Sequence, residues 1–206
     1  MKRISLYIIC VLLAVFAAIP SASALTPQQI LDKAAKEMTV APSLSVKFTT
    51  SGAYGNNNGS LTISGNKFQF AAGDISVWYN GKTQWALSRS AEEVSITEPT
   101  ASELVESNPF TLISKHKQLF NAKLTSSTKN VYIVNLTPKN RHSQIRTATI
   151  SIDARTFMPK SLDCTLSDNS KISVKVSSVS KGKALPASYF IFNPKAHPDI
   201  EVVDLR

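Results

Sequence analysis

The sequence predicts an α+β domain: one long antiparallel sheet, a helix at its N-terminal end and a helical insert near its middle. Three observations predict it. One stretch after residue 25 carries apolar residues at helical spacing behind a capping signal. Most of the remaining chain alternates apolar and polar residues with a period of two, broken by Gly and Asn clusters. Between Glu98 and Gln118 that alternation stops and proline-led helical turns replace it. The 206 residues, 43% of them hydrophobic, suffice for one domain with its own core and are short for two. With 7 Gly and 10 Pro the chain is neither collagen-like nor a linker. Its apolar fraction argues against disorder.

Residues 1–24 read as a removable export signal. Met1-Lys2-Arg3 is cationic, Ile4 to Ile19 is nearly all apolar, and Ala22-Ser23-Ala24 is a small-x-small cleavage pattern. The apolar run falls short of the roughly 20 residues that span a bilayer, which disfavours a retained anchor. Ile9 stands before Cys10 where a lipoprotein signal needs a small residue. The expected product is a single domain, residues 25–206, exported to the periplasm. Its one cysteine, Cys164, has no disulfide partner, so the fold must stand on its core. A compartment without ATP argues against kinases and ATPases.

Thr26-Pro27-Gln28-Gln29 opens the helix: Thr26 caps, Pro27 suits the first turn, and Gln29 reaches back. Ile30, Leu31, Ala34, Ala35 and Met38 share its apolar face, and Pro42 lies beyond its end. Val46 and Phe48 begin the period of two. Gly52 to Gly59 reads as a turn; Leu61 and Ile63 come next; Ser64-Gly65-Asn66 turns the chain to Phe68 and Phe70. Ile75–Tyr79 and Thr83–Leu87 form a hairpin about Asn80-Gly81, and Val94 and Ile96 a further strand. In the insert, Pro99 starts a helical stretch with Leu104 and Val105. Asn108-Pro109 supplies a second cap before Phe110, Leu112 and Ile113, and a third turn holds Leu119 and Phe120. Strands resume at Val131–Leu136, Ile145–Ile152, Ser161–Leu166, Lys171–Val176 and Tyr189–Phe192.

Catalytic chemistry is not visible. His116, His142 and His197 are far apart, lack ligand spacing and are expected at the surface. Cys164 lies on an alternating strand and is expected to be buried and inert. There is no G-x-S-x-G and no P-loop. The chain therefore reads as a non-enzyme with no catalytic residue, metal or cofactor. The formal charge of +9 comes from scattered Lys and Arg without a dense basic and aromatic patch, which argues against nucleic acid. It leaves a solvated surface, or attraction to an anionic membrane or acidic partner.

Four segments in order resemble the periplasmic outer-membrane lipoprotein carrier (LolA-like) family. They are the capped helix through Ser43-Leu44-Ser45-Val46-Lys47-Phe48, the hairpin Val77-Trp78-Tyr79-Asn80-Gly81-Lys82-Thr83-Gln84-Trp85, the turn Asn108-Pro109-Phe110-Thr111-Leu112-Ile113, and the end Phe190-Ile191-Phe192-Asn193-Pro194. Asn80 stands where the family's D-G-K-x-x-W pattern has Asp. Gly65-Asn66-Lys67 replaces the family's Arg-Pro, whose arginine is linked to lid closure; Lys67 would substitute for it, although Lys and Arg are not interchangeable at a hydrogen-bonding site.

The resemblance implies an unclosed β half-barrel whose helices cover an apolar concave face. It implies a monomeric carrier of acylated lipoproteins, fed by an inner-membrane ATP-driven release complex and emptied at an outer-membrane acceptor. Alternate side chains of a curved sheet point the same way. On that basis Phe48, Leu61, Ile63, Phe68, Phe70, Trp85 and Leu87 are expected to line the acyl-chain cavity. Ile30, Leu31, Leu104, Phe110, Leu112 and Ile113 are expected to cover it. The competing reading is a lipid- or lipoprotein-sensing module of the same fold acting in envelope regulation; an envelope hydrolase and an adhesive surface domain stand further off.

Overall fold

The computed structural model describes residues 24–53 and 55–206. The export signal lies outside the described residues except for Ala24. The first element is helix α1 (Pro27–Thr39), and its capping box closes as expected: the Gln29 N–H donates to Thr26 Oγ1, and the Thr26 N–H donates to Gln29 Oε1. Ile30, Leu31, Ala34 and Met38 form its buried stripe.

Six strands come next: β1 (Ser43–Gly52), β2 (Asn57–Ser64), β3 (Lys67–Ala72), β4 (Ile75–Tyr79), β5 (Gln84–Ser88) and β6 (Glu93–Thr97). The expected turn from Gly52 to Gly59 is shorter, because Asn57, Asn58 and Gly59 belong to β2. Gly59 sits opposite Phe48, whose ring takes the room that a side chain would need.

The insert is α2 (Ala101–Ser107) and α3 (Thr111–Leu119). Thr100 and Glu103 give α2 a capping box, so the helix starts two residues after Pro99. Asn108 ends α2 and accepts the Phe110 N–H on its side chain; it is not the cap of α3, where Phe110 stands with no side-chain bond. Phe120 is not in a third helical turn. It opens β7 (Phe120–Ser127), because Pro138 lies opposite it and the Lys139 N–H donates to Leu119 O.

Four further antiparallel strands are β8 (Val131–Pro138), β9 (Ile145–Asp153), β10 (Pro159–Leu166) and β11 (Lys171–Gly182). Tyr189–Phe192 is not a strand. Ala187–Phe190 is a 3-10 turn, in which the Tyr189 and Ile191 N–H groups donate to Pro186 O and Ser188 O. Both edges of β11 are already taken by β1 and β10, so the segment cannot fold back beside it. The last strand, β12 (Glu201–Asp204), pairs in parallel with β6.

The twelve strands form one unclosed sheet in the order β12-β6-β5-β4-β3-β2-β1-β11-β10-β9-β8-β7. All neighbours are antiparallel except β12 and β6. The fold is therefore the α+β half-barrel that the resemblance implied. One face meets α1, α2 and α3 in a continuous core running from Ile30 through Phe48 and Ile150 to Val174. The other face is crossed by the segment after β11, which packs Phe192 and Ile200 onto Trp78, Trp85, Leu87 and Val94. Tyr189 Oη lies 3.4 Å from Thr62 Oγ1 at the start of this strap, and His197 stacks on Phe192 with ring centroids 5.1 Å apart at its end.

Candidate functional site

A cavity of about 630 Å³ opens where the C-terminal half of α1, the β2–β3 turn, the β4–β5 turn and the α2–α3 corner meet. Its apolar lining is Ala35, Met38, Ile63, Phe68, Tyr79, Leu104 and Phe110. The local structure explains the placement. Ile63 and Phe68 are paired across the β2–β3 hairpin, and Tyr79 lies opposite Phe68 on β4, with ring centroids 5.3 Å apart. Tyr79 Oη donates to Gly81 O at 2.9 Å, and burial pushes its pKa up, which keeps it a donor.

The Asn80-Gly81 hairpin has a four-residue loop, because the return strand starts at Gln84 and not at Thr83. Asn80 Oδ1 accepts from the Lys82 and Thr83 N–H groups at 2.9 and 2.8 Å. A carboxylate oxygen could accept the same two bonds, so Asn serves where the family pattern has Asp. On the other wall, Ser107 Oγ donates to the buried Gln84 Oε1 at 2.7 Å and ties α2 to β5.

The expected site residues divide three ways. Ile63, Phe68, Leu104, Phe110 and Lys67 meet at the cavity. Phe48, Leu61 and Phe70, with Ile30, Leu31, Leu112 and Ile113, are closed inside the packed core. The Phe48 ring lies 5.5 Å from Phe70 and 5.3 Å from Phe110, linking sheet to insert. Trp85 and Leu87 correct the expectation: they lie on the opposite face, beneath the strap. On β5 the positions facing the helices are Gln84 and Ala86, and Ala86 is opposite Val77. Alternation points inward only when the outer face is solvated, and here the chain itself covers that face.

The lining residues that were not anticipated for the cavity include Met38, Tyr79 and Lys115. Thr111, Ser114 and Lys115 show the i, i+3, i+4 spacing of one helix face, which was the available signal.

His116 also departs from expectation, being 3% exposed. It faces α1. Nδ1–H donates to Ile113 O at 2.8 Å, because a carbonyl can only accept. Nε2 then points at Asp32 Oδ1, 3.6 Å away, without a hydrogen bond. Asp32 also pairs with Lys117 at 2.8 Å. His116 sits at the helix packing rather than in the cavity. Cys164 is buried as expected, and burial with the Asp163 charge pushes its thiol pKa up to about 12, far from a reactive thiolate.

A second cavity, of about 990 Å³, lies across α1 against β10 and β11 and is lined by Phe157, Met158, Val176 and Val179 among others. Of its four cations, Lys160 and Lys181 pair with Asp153 and Glu37 at 3.7 and 3.5 Å, and Arg155 and Lys175 form no ion pair with a described residue.

The family model for the outer membrane lipoprotein carrier protein LolA matches residues 17–167. The chain belongs to the LolA family. No curated protein matches it. An uncharacterized conserved protein from Thermus thermophilus superposes with a TM-score of 0.60 at 12% identity, over 86% of this chain and 98% of that one. A LolA superfamily protein from Nitrosomonas europaea gives 0.46 at 14% identity, over 82% and 99%. The Pseudomonas aeruginosa MucA/MucB complex gives 0.44 at 10% identity, over 86% and 63%. At such identities the Thermus likeness speaks for the fold alone. In this LolA-family chain the match ends just after β10. The central strand β11, the strap and β12 lie beyond it, as does the closing Phe190 to Pro194 segment.

Proposed function

We propose that this LolA-family chain is a periplasmic carrier that shields the acyl chains of lipoproteins on their way from the inner to the outer membrane. The inner-membrane release complex and the outer-membrane acceptor are its proposed partners. The observation that carries the reading is the cavity between α1 and the insert. Its volume of about 630 Å³ falls within the roughly 300–1,000 Å³ of small-molecule sites, and seven apolar or aromatic side chains line it.

The energetics call for such a cavity. A palmitoyl-type chain has about 15 methylenes, and at about 0.8 kcal/mol each its exposure to water costs roughly 12 kcal/mol. Leu104 and Phe110 belong to the insert, whereas Ile63 and Phe68 belong to the sheet. An outward movement of the insert would widen the cavity toward Phe48 and Phe70, which lie directly behind Phe110. Closing again would bury those rings and favour release without a nucleotide.

The test is displacement of Nile red from purified residues 25–206 by a triacylated lipoprotein in dilute detergent. Saturable displacement is expected. Ile63→Trp, which fills the cavity, should weaken it about tenfold or more while the melting temperature stays within a few degrees. A protein that binds neither dye nor lipoprotein would remove the carrier reading.

A further inference from the structure

We infer that the cavity selects acyl chains joined to an anionic head group, a carboxylate or a phosphate; the inference rests on the carrier reading above. Its lining includes two lysines, Lys67 at the start of β3 and Lys115 on α3, and among the described residues no Asp or Glu. Both side chains are half-buried. Neither forms an ion pair with a described residue. Nearby lysines are different: Lys82 pairs with Glu98 at 3.0 Å, and Lys117 pairs with Asp32 at 2.8 Å. The second cavity has four cations, two of them unpaired, but its lining also holds two carboxylates, Glu37 and Asp153.

The hydroxyls of the α2–α3 corner have partners of their own. Thr111 Oγ1 donates to Leu104 O and Asn108 O at 3.0 and 2.6 Å, and Ser114 Oγ donates to Thr111 O at 3.1 Å. Asn108 Oδ1 accepts the Phe110 N–H. The ammonium groups are thus the charged donors left for a guest, with the exposed Asn66 amide beside them. They belong to opposite walls of the cavity, one on the sheet and one on the insert. An apolar floor with two uncompensated cations and no anion suits an amphiphile with a negative head.

The test displaces Nile red, a neutral probe, with dodecanoic acid, dodecyl phosphate and dodecanol, all below micelle concentration near pH 7.5. The expected result is that the acid and the phosphate compete about fivefold or more better than the alcohol, since two partly exposed ion pairs add modest affinities. The preference should shrink between about 50 and 500 mM salt as screening tightens. In Lys67→Gln/Lys115→Gln it should fall to parity while dodecanol competes as before, which also shows that the variant is folded. Preference for only one of the two anions would assign the head group to that chemistry. Equal competition by all three, or a preference that survives the double variant, would overturn the inference and leave the carrier reading intact. Displacement by none of them would overturn both.

Discussion

Gly59→Ala is the sharpest probe of how the sheet is coupled to the insert. A Cβ built on Gly59 would lie 2.2 Å from Phe48 Cε2, 2.3 Å from Cζ and 2.9 Å from Cδ2. Carbon atoms rest at about 3.5–4.0 Å, so the ring must retreat by more than about 1 Å. It has no free path: Phe48 is 2% exposed and held between Phe70 and Phe110. Overpacking of this kind costs about 1–3 kcal/mol, and Ala recovers about 0.5–1 kcal/mol over Gly in a strand. The expected net loss is about 1–2 kcal/mol. With a urea m-value of about 1–3 kcal/mol/M, the midpoint should fall by roughly 0.5–1 M at unchanged m. The movement is transmitted to Phe110, a cavity wall, so Nile red affinity should fall as well. Phe48→Leu leaves room for the new methyl, and the pair should show a coupling of about 1 kcal/mol or more. A Gly59→Ala midpoint equal to wild type, or an equal cost in the Phe48→Leu background, would refute the contact.

Three further outcomes are expected. Phe192→Ala should cost about 3–5 kcal/mol and shift the tryptophan fluorescence, because Trp78 loses a ring centred 5.5 Å away; an unchanged emission maximum would refute the packing of the strap. His116→Ala should cost about 1–3 kcal/mol and speed amide exchange in α1, whereas Asp32→Asn should cost under about 1 kcal/mol because Asp32 is half-exposed; equal costs would contradict the burial of His116. The hydroxyl of Ser90 chiefly, with Ser88 Oγ, the Ser90 N–H and nearby Arg89, holds the Asp74 carboxyl below the usual range against a smaller effect of desolvation. A depressed folded pKa gives stability that is present above the unfolded pKa of about 3.9 and lost as pH falls through the lower folded value. Asp74→Asn should therefore flatten the acid limb of the stability curve below about pH 4, and an unaltered limb would refute the assignment.

What was legible in the sequence had a local cause. Thr26, Pro27 and Gln29 cap α1 within one turn, and Leu44, Val46 and Phe48 alternate because β1 has one buried face. What was not legible depended on segments far along the chain. Trp85 and Leu87 alternate as an inward face would, yet Phe192 and Ile200 arrive more than a hundred residues later to cover them on the outer side. Phe190 and Phe192 have the spacing of a strand but anchor that strap instead. His116 reads as a surface residue until α1 is laid against α3. The cavity itself draws on Met38, Lys67, Gly81 and Lys115, one from each of four separate segments.

The strap also bears on how the site can open. Covering the outer face of β3 to β6 fixes those strands from behind, while Phe192 and Trp78 hold the cover in place. Opening the cavity by bending the sheet would disrupt that second cluster. Opening it by shifting the insert would uncover part of the helix-side core, Leu112 and Ile113 included, but leave the second cluster whole, and α3 meets α1 at the unsatisfied ring nitrogen of His116. His116 Nε2 has no hydrogen-bond partner there and the Lys117–Asp32 pair across the seam is solvent-exposed, so this is the weaker of the two seams. The moving part should therefore be α2–α3 against α1 and not the sheet. Amide exchange with and without dodecyl phosphate should then change in residues 101–119 and leave β4 and β5 as they were; protection gained mainly in β4 and β5 would point to a bending sheet instead.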